Sequence, residues 1–364
     1  MPFQTFRHHK LPLFSISLSA FVICISTCLA ATREELKSWK HSGAFYILTT
    51  PEGADLPATA SESNFPLLLR LDRGNFDFSQ TKTKGEDIRF TDVRGTGLPY
   101  QIEQWDAAKG SASIWVRVPT ITGNTRQGIA MYWGNANAAS ESNGAAVFNV
   151  ENGYASVMHL DESLKDEAGS LKPKDTGSTD SAGIIGRARH FAEGKGINCG
   201  EHITTFPNGD MPFTSEAWFR TETAGTAIFA WGRYATRKNG KTNDGNEVDL
   251  MIGSPPGLSW ASDGPGGTRA ATIPVIGKWH HVAATYADGV SQIFVDGKLD
   301  GSNQHKAAMS LMDDIYMYIG GMRGSYQFTG DIDEVRVSRV ARSVNWMKLQ
   351  YENQKAQQTL VGPI

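Results

Sequence analysis

Past its first thirty residues the chain is written in short segments with the period of β-strands. Asp87-Ile88-Arg89-Phe90-Thr91 and Ser113-Ile114-Trp115-Val116-Arg117-Val118 alternate polar and apolar positions, as a strand with one buried face does. Phe65-Pro66-Leu67-Leu68-Leu69-Arg70-Leu71 is an apolar run between polar clusters, and 128–133 is a further strand stopped by Gly134-Asn135. Pro119 is expected to close the strand before it, because proline donates nothing to a ladder. The second half has the same grammar, with strands at 213–220, 226–232, 279–286, 291–295 and 328–337. Asp296-Gly297 sits between apolar runs, and both residues tolerate positive φ, which marks a tight hairpin. Ser343 is placed as the N-cap of a short terminal helix with Val344, Met347 and Tyr351 on one face. Many short strands at near-regular spacing predict an all-β chain of two tandem β-sandwich domains. The boundary falls after the Ala-, Ser- and Asn-rich stretch 135–144, giving domains at 31–148 and 149–364. The polar segment 165–181 reads as a long surface loop.

The first thirty residues break this pattern. Arg7 and Lys10 precede an apolar stretch from Leu11 to Ile25, and Cys28-Leu29-Ala30 supplies small residues for cleavage. This is the layout of a secretory signal peptide over 1–30. An uncleaved anchor and a lipoprotein acylated at Cys28 are the other readings. An exported chain would be periplasmic, surface-bound or secreted. Of the three cysteines, two lie in that segment, so the remaining Cys199 has no intrachain partner and is expected to be a small buried residue.

The length of 364 residues is enough for two or three domains with cores of their own. A formal net charge of -3 argues against a nucleic-acid binder, which needs a basic footprint. No basic run marks a membrane-surface patch. Catalytic templates are missing: there is no Gly-x-Ser-x-Gly elbow, no His-Glu-x-x-His and no phosphate loop. His280 and His281 are adjacent, so a strand points them to opposite faces and they cannot share a metal. His159 and His190 are read as buried or edge histidines.

Two resemblances cover most of the chain. The second half resembles a laminin G-like, concanavalin A-like jelly roll. The match rests on Pro212-Phe213-Thr214-Ser215-Glu216-Ala217-Trp218-Phe219, on Gly277-Lys278-Trp279-His280-His281-Val282-Ala283-Ala284-Thr285-Tyr286, and on Phe294-Val295-Asp296-Gly297. Ile319-Gly320-Gly321 and Phe328-Thr329-Gly330-Asp331-Ile332-Asp333-Glu334-Val335-Arg336-Val337-Ser338 complete it. The first half is similar to a bacterial domain of unknown function, family 2341, through Gly85-Glu86-Asp87-Ile88-Arg89-Phe90, Leu98-Pro99-Tyr100-Gln101-Ile102-Glu103-Gln104-Trp105-Asp106 and Tyr132-Trp133-Gly134-Asn135. Such domains accompany laminin G-like modules in cell-envelope proteins.

The jelly-roll resemblance implies a structural Ca²⁺, held by hard oxygen ligands. Asp331 and Asp333, two apart in the last strand, would face one way and Glu334 the other. Asp333 with Asp161 or Glu193 is the expected site. Concanavalin-like folds also host glycosidases with Glu-x-Asp-x-x-Glu on a strand. Here Glu247 and Asp249 share a face, but Ile252 replaces the third acid, and a two-carboxylate mechanism lacks half its pair. Sugar binding needs aromatic platforms beside polar groups, and Trp231, Tyr234, Trp260 and Tyr326 lie near loops rich in Gly, Asn and Asp. The expected function is therefore a non-catalytic exported protein that binds an extracellular glycan or an envelope protein. A structural module of an envelope complex is the alternative, and a glycoside hydrolase or lyase the third reading.

Overall fold

The structure is a computed structural model that describes residues 35–169, 171–233, 237–238, 241–242, 247–253, 257–262, 267–306, 308–309, 311, 315–322 and 325–362. The proposed signal segment and Tyr234 lie outside the described residues. Strands dominate, all paired antiparallel, with one short helix at Gly144–Val147 and a longer one at Val344–Gln354. Among the described residues no helix is long and apolar enough to cross a membrane.

The first sandwich packs a four-stranded sheet against a three-stranded one. The first is ordered Val361–Gly362, His41–Leu48, Arg126–Trp133, Arg89–Asp92, and the second Ser61–Asp72, Ser111–Thr122, Tyr100–Asp106. Alternation places Phe45, Ile47, Phe90, Ile129 and Met131 inward from one sheet and Leu67, Leu69, Ile114 and Val116 from the other, all nearly solvent-free. The expected stop at Pro119 does not occur. Ser111–Thr122 runs through it, still paired with Ser61–Asp72, because its other neighbour, Tyr100–Asp106, has already left at Val116. Pro119 therefore lies on a local edge, where its missing N–H costs no bond.

The second sandwich stacks two larger sheets. One contains Lys298–Gln304, Val290–Val295, His280–Ala287, Phe213–Thr221, Gly330–Ser338, Arg187–Phe191 and Thr179–Ala182, with Tyr154–Met158 also pairing Gly330–Ser338. The other contains Thr268–Arg269, Leu258–Ser262, Glu247–Ile252, Thr226–Gly232, Ile315–Ile319, Ile197–Ile203 and Lys174–Asp175. The predicted hairpin is present, with Asp296 at φ 49° and Gly297 at φ 75°. Part of the segment read as a long surface loop forms two short strands, and Asp166 within it is buried, its carboxylate accepting from the backbone N–H of Val157 at 3.0 Å.

The two sandwiches share one face. The outer side of the sheet holding Gly330–Ser338 meets the three-stranded sheet of the first sandwich, and the terminal helix seals the seam. Ser343 caps that helix as expected, accepting from Trp346 N. Trp346 packs edge-on against Phe65, with ring centres 4.9 Å apart. Asn353 completes the edge of Ser61–Asp72 by bonding both the N–H and the C=O of Leu68, at 2.7 and 2.9 Å. Arg70 donates to the C=O groups of Asn353 and Gln354 at the helix end, where carbonyls lack intrahelical partners. Beyond the helix Leu360 enters the first core and Val361–Gly362 pairs with Tyr46 and Ile47.

Candidate functional site

The sequence-derived residues scatter over the molecule. Trp231 and Trp260 are not platforms: both are fully buried in the jelly-roll core against Phe213, and Trp231 spends its N–H on Ser215 Oγ at 2.7 Å. The loops flanking their strands suggested exposure, but strand parity turns both rings inward. Tyr326 is 55 % exposed and is the one candidate platform among the described residues.

The four acids do not gather. Asp331 is held by Arg220 at 2.7 Å and His190 at 3.2 Å. Asp161 caps its own turn, accepting from Ser163 N, and Glu193 is exposed. Asp333 is buried in the seam between sandwiches, where Oδ2 accepts from Ile185 N at 3.0 Å. These residues do not form one calcium site. Ile252 points into the core, so that position offers nothing to the face shared by Glu247 and Asp249. Cys199 is fully buried beside Met158, and burial pushes its thiol pKa up.

The expected orientation of Glu334 is also overturned. A bulge in the pairing of Gly330–Ser338 with Phe213–Thr221 puts Glu334 at φ 54°, a left-handed conformation uncommon for a non-glycine residue. The extra residue breaks the two-residue period, so Asp333 and Glu334 both reach the seam while Val335 faces the core.

There Glu334 meets His159, which follows Tyr154–Met158, and Glu103 from Tyr100–Asp106. Among the described residues these three form the group whose ligand atoms lie within 4.8 Å of one another. The contacts are those of a closed ion network. His159 Nδ1 is 2.7 Å from Glu334 Oε1, and Nε2 is 3.2 Å from Gln101 Oε1, so both ring nitrogens face acceptors, as an imidazolium requires. Arg336 donates to Glu334 Oε2 at 2.5 Å and lies over the Trp115 ring at 4.6 Å. Trp115 donates its indole N–H to Glu103 Oε2 at 2.6 Å, and its ring stacks on His159 at 5.8 Å. Burial alone would lower the pKa of His159, but Glu334 and Glu103 outweigh it and raise it to about 9. Burial pushes Glu103 up to about 7. Burial, reinforced by Glu334 and Glu103, raises Asp333 well above the usual carboxylate range. Burial also disfavours the charged form of Glu334, yet His159 and Arg336 hold it below its ordinary value. A metal here would have to displace a firmly held proton and sit beside a guanidinium. The donor set suits an ion network that joins the two sandwiches.

Sequence reasoning missed this group, because its members come from distant segments. The signal that existed was an acidic and a basic residue two apart in Glu334-Val335-Arg336.

The other broad face of the jelly roll is the outer side of its seven-stranded sheet. Register sets Gly232 between Glu247 and Tyr316, and Ala230 between Asp249 and Tyr318. The outward positions of Thr226–Gly232 are thus small and lie between Glu247 and Asp249 on one side and Tyr316 and Tyr318 on the other, with Ala230, Glu247, Asp249 and Tyr316 buried. Ala227, Ala230 and Met322 form a small apolar cluster there, with Met251 against it.

The comparison with curated proteins finds no match. Solved structures are similar over part of the chain. Domain 4 of AbnA, a GH43 extracellular arabinanase from Geobacillus stearothermophilus, in complex with arabinotriose, is 18% identical with a TM-score of 0.45, covering 54% of this chain and 97% of that one. The binding domain of Paraclostridial Mosquitocidal Protein 1 is 13% identical with a TM-score of 0.43, covering 56% of this chain and 52% of that one. The SAP-like pentraxin of Limulus polyphemus is 13% identical with a TM-score of 0.30, covering 39% and 70%. Family models match two segments in the order the motifs indicated: residues 84–162 match a domain of unknown function (DUF2341), and residues 195–347 match the concanavalin A-like lectin/glucanases superfamily.

Proposed function

We propose that this protein is a non-catalytic binding protein whose jelly roll recognises an extracellular glycan. The observation that carries the reading is the division of labour between the two jelly-roll sheets. One sheet's outer face is consumed by the first sandwich and the terminal helix, through Trp218, Arg336 and Glu334. The other sheet has no such partner domain among the described residues. A β-sandwich anchored by one face offers its connecting loops on a rigid base, which is how such folds present binding groups. Tyr326 is exposed at that side, with its C=O fixed by Ala227 N at 2.7 Å. The fold alone does not name a ligand. Export, with a location in the periplasm, at the surface or outside, is part of the same proposal and rests on the signal pattern.

The test is a glycan array probed with residues 31–364, with calcium and again with a chelator. Binding to a defined glycan class that falls in Tyr326→Ala supports the reading. Silence in both conditions, with capture of an envelope protein instead, would replace it with a structural module of an envelope complex.

A further inference from the structure

The outer face of the four-stranded sheet in the first sandwich is not used by the fold. Its outward positions are Ala44 and Tyr46 on His41–Leu48, Gly128, Ala130 and Tyr132 on Arg126–Trp133, and Thr91 on Arg89–Asp92. Ala130 stands opposite both Ala44 and Thr91, so low side chains fill the middle of the face. Tyr46 stands opposite Gly128, and Tyr132 lies farther along the same strand as Gly128, so the rings rise at the two ends of the floor. Strand rise puts them roughly 14 Å apart. Both tyrosines are half-buried, and Arg126 lies over the Tyr46 ring.

A cavity of about 250 Å³ occupies this floor, lined by Tyr46, Thr91, Val93, Ala130 and Tyr132 among others. A second, of about 430 Å³, adjoins it across Val93 and includes Arg94, Thr120 and Arg126. Together they fall in the size range of small-ligand sites.

Thr91 supplies an independent sign of a ligand. It is 1 % exposed, and its Oγ1 is buried with no hydrogen-bond partner. A buried hydroxyl without a partner is uncommon in a native structure and calls for an explanation. Valine would fill the same space in a strand at no such cost. At the Tyr46 end the exposed Arg126 guanidinium lies over the ring at 3.6 Å, a cation–π contact. Asp92 nearby is already committed, accepting from Arg94 N and Thr96 N. The face therefore offers rings, a low floor, a free hydroxyl and a guanidinium. It lacks the broad aliphatic patch of a protein-docking surface.

We propose that this face is a separate site for a short oligosaccharide, which lies along the strands between Tyr132 and Tyr46 and presents a hydroxyl to Thr91. A ring face of the sugar packs on Tyr132, whose amphipathic side chain suits a ligand with apolar faces and polar edges. Arg126 donates to sugar oxygens at one end. The site belongs to the first sandwich, so it stands or falls apart from the jelly-roll surface.

The test is calorimetric titration of the full chain with cellotriose, xylotriose and chitotriose. The expected result is binding of at least one, weakened at least tenfold in Tyr132→Ala and in Thr91→Val and unchanged in Leu299→Ala, an exposed position in the second sandwich. Thr91→Val keeps the parent's melting temperature or raises it, which separates loss of a ligand contact from loss of the fold. The proposal is overturned if no trisaccharide binds, if Thr91→Val binds as well as the parent, or if only Tyr326→Ala loses binding.

Discussion

At the scale of single residues, aromatic side chains behave according to strand parity and not to loop proximity. Trp231 and Trp260 stand near loops in sequence, yet both rings close the jelly-roll core. Trp231→Ala is expected to destabilise the protein by about 3–5 kcal/mol in denaturant titration, the usual result for removing a large buried aromatic. Tyr326→Ala, at an exposed turn, should shift stability by no more than about 0.5 kcal/mol. Equal effects of the two substitutions would contradict the burial pattern. Some residue roles were legible in the sequence because the physics is local: Asp296-Gly297 needed only two positive φ angles, and the Ser343 cap only a hydroxyl before a helical face. His159 was not legible. Its partners Gln101 and Glu334 are 58 and 175 residues away, and nothing in its own neighbourhood announces them.

At the scale of elements, Gly330–Ser338 decides how the molecule is joined. Its alternation is readable in the sequence, but the bulge at Glu334 is not, because a single residue in the left-handed region reverses the parity of everything around it. That reversal gathers Asp333, Glu334 and Arg336 against Glu103, His159 and Arg70, with Glu216 and His281 alongside. The pH dependence of stability follows from these groups. His159 holds its proton more tightly folded than unfolded, so its contribution is complete below 6.5 and is lost as pH rises through about 9. Glu103 is raised as well, and its contribution is lost between 4.5 and about 7. His281 works the other way: burial lowers it to about 4, so its contribution is present above 6.5 and lost as pH falls toward 4. Melting temperature should therefore fall as the buffer is taken from weakly acidic to alkaline, and Glu103→Gln should make the acidic half of that fall shallower. A midpoint that climbs steadily from neutral pH to about 9 would contradict the assignment of charge in the seam.

At the scale of the whole molecule, the two sandwiches are one body sealed by the terminal helix. The all-β class, the order of the domains and most strands were legible because short periodic segments report their own burial. The seam was not legible, because it depends on which outer faces meet, and both faces are polar enough to pass for solvent-exposed. A chain ending at Arg342 would lack the helix and the last strand, leaving Leu68 without Asn353 and Phe65 without Trp346. It is expected to lose its single cooperative melt and to become sensitive to protease within the first sandwich. Retention of the parent's melting temperature would show that the seam is not needed.

The contact between Leu68 and Asn353 bridges 285 residues, and the pairing of Tyr46 with Gly362 spans more. The first sandwich to leave the ribosome therefore cannot mature when it emerges. Its edge and part of its core arrive only with residues 346–362, so until those are made the leading half has no finished fold to settle into. A chain built this way joins its first and last described segments late, and its folding order runs against its order of synthesis.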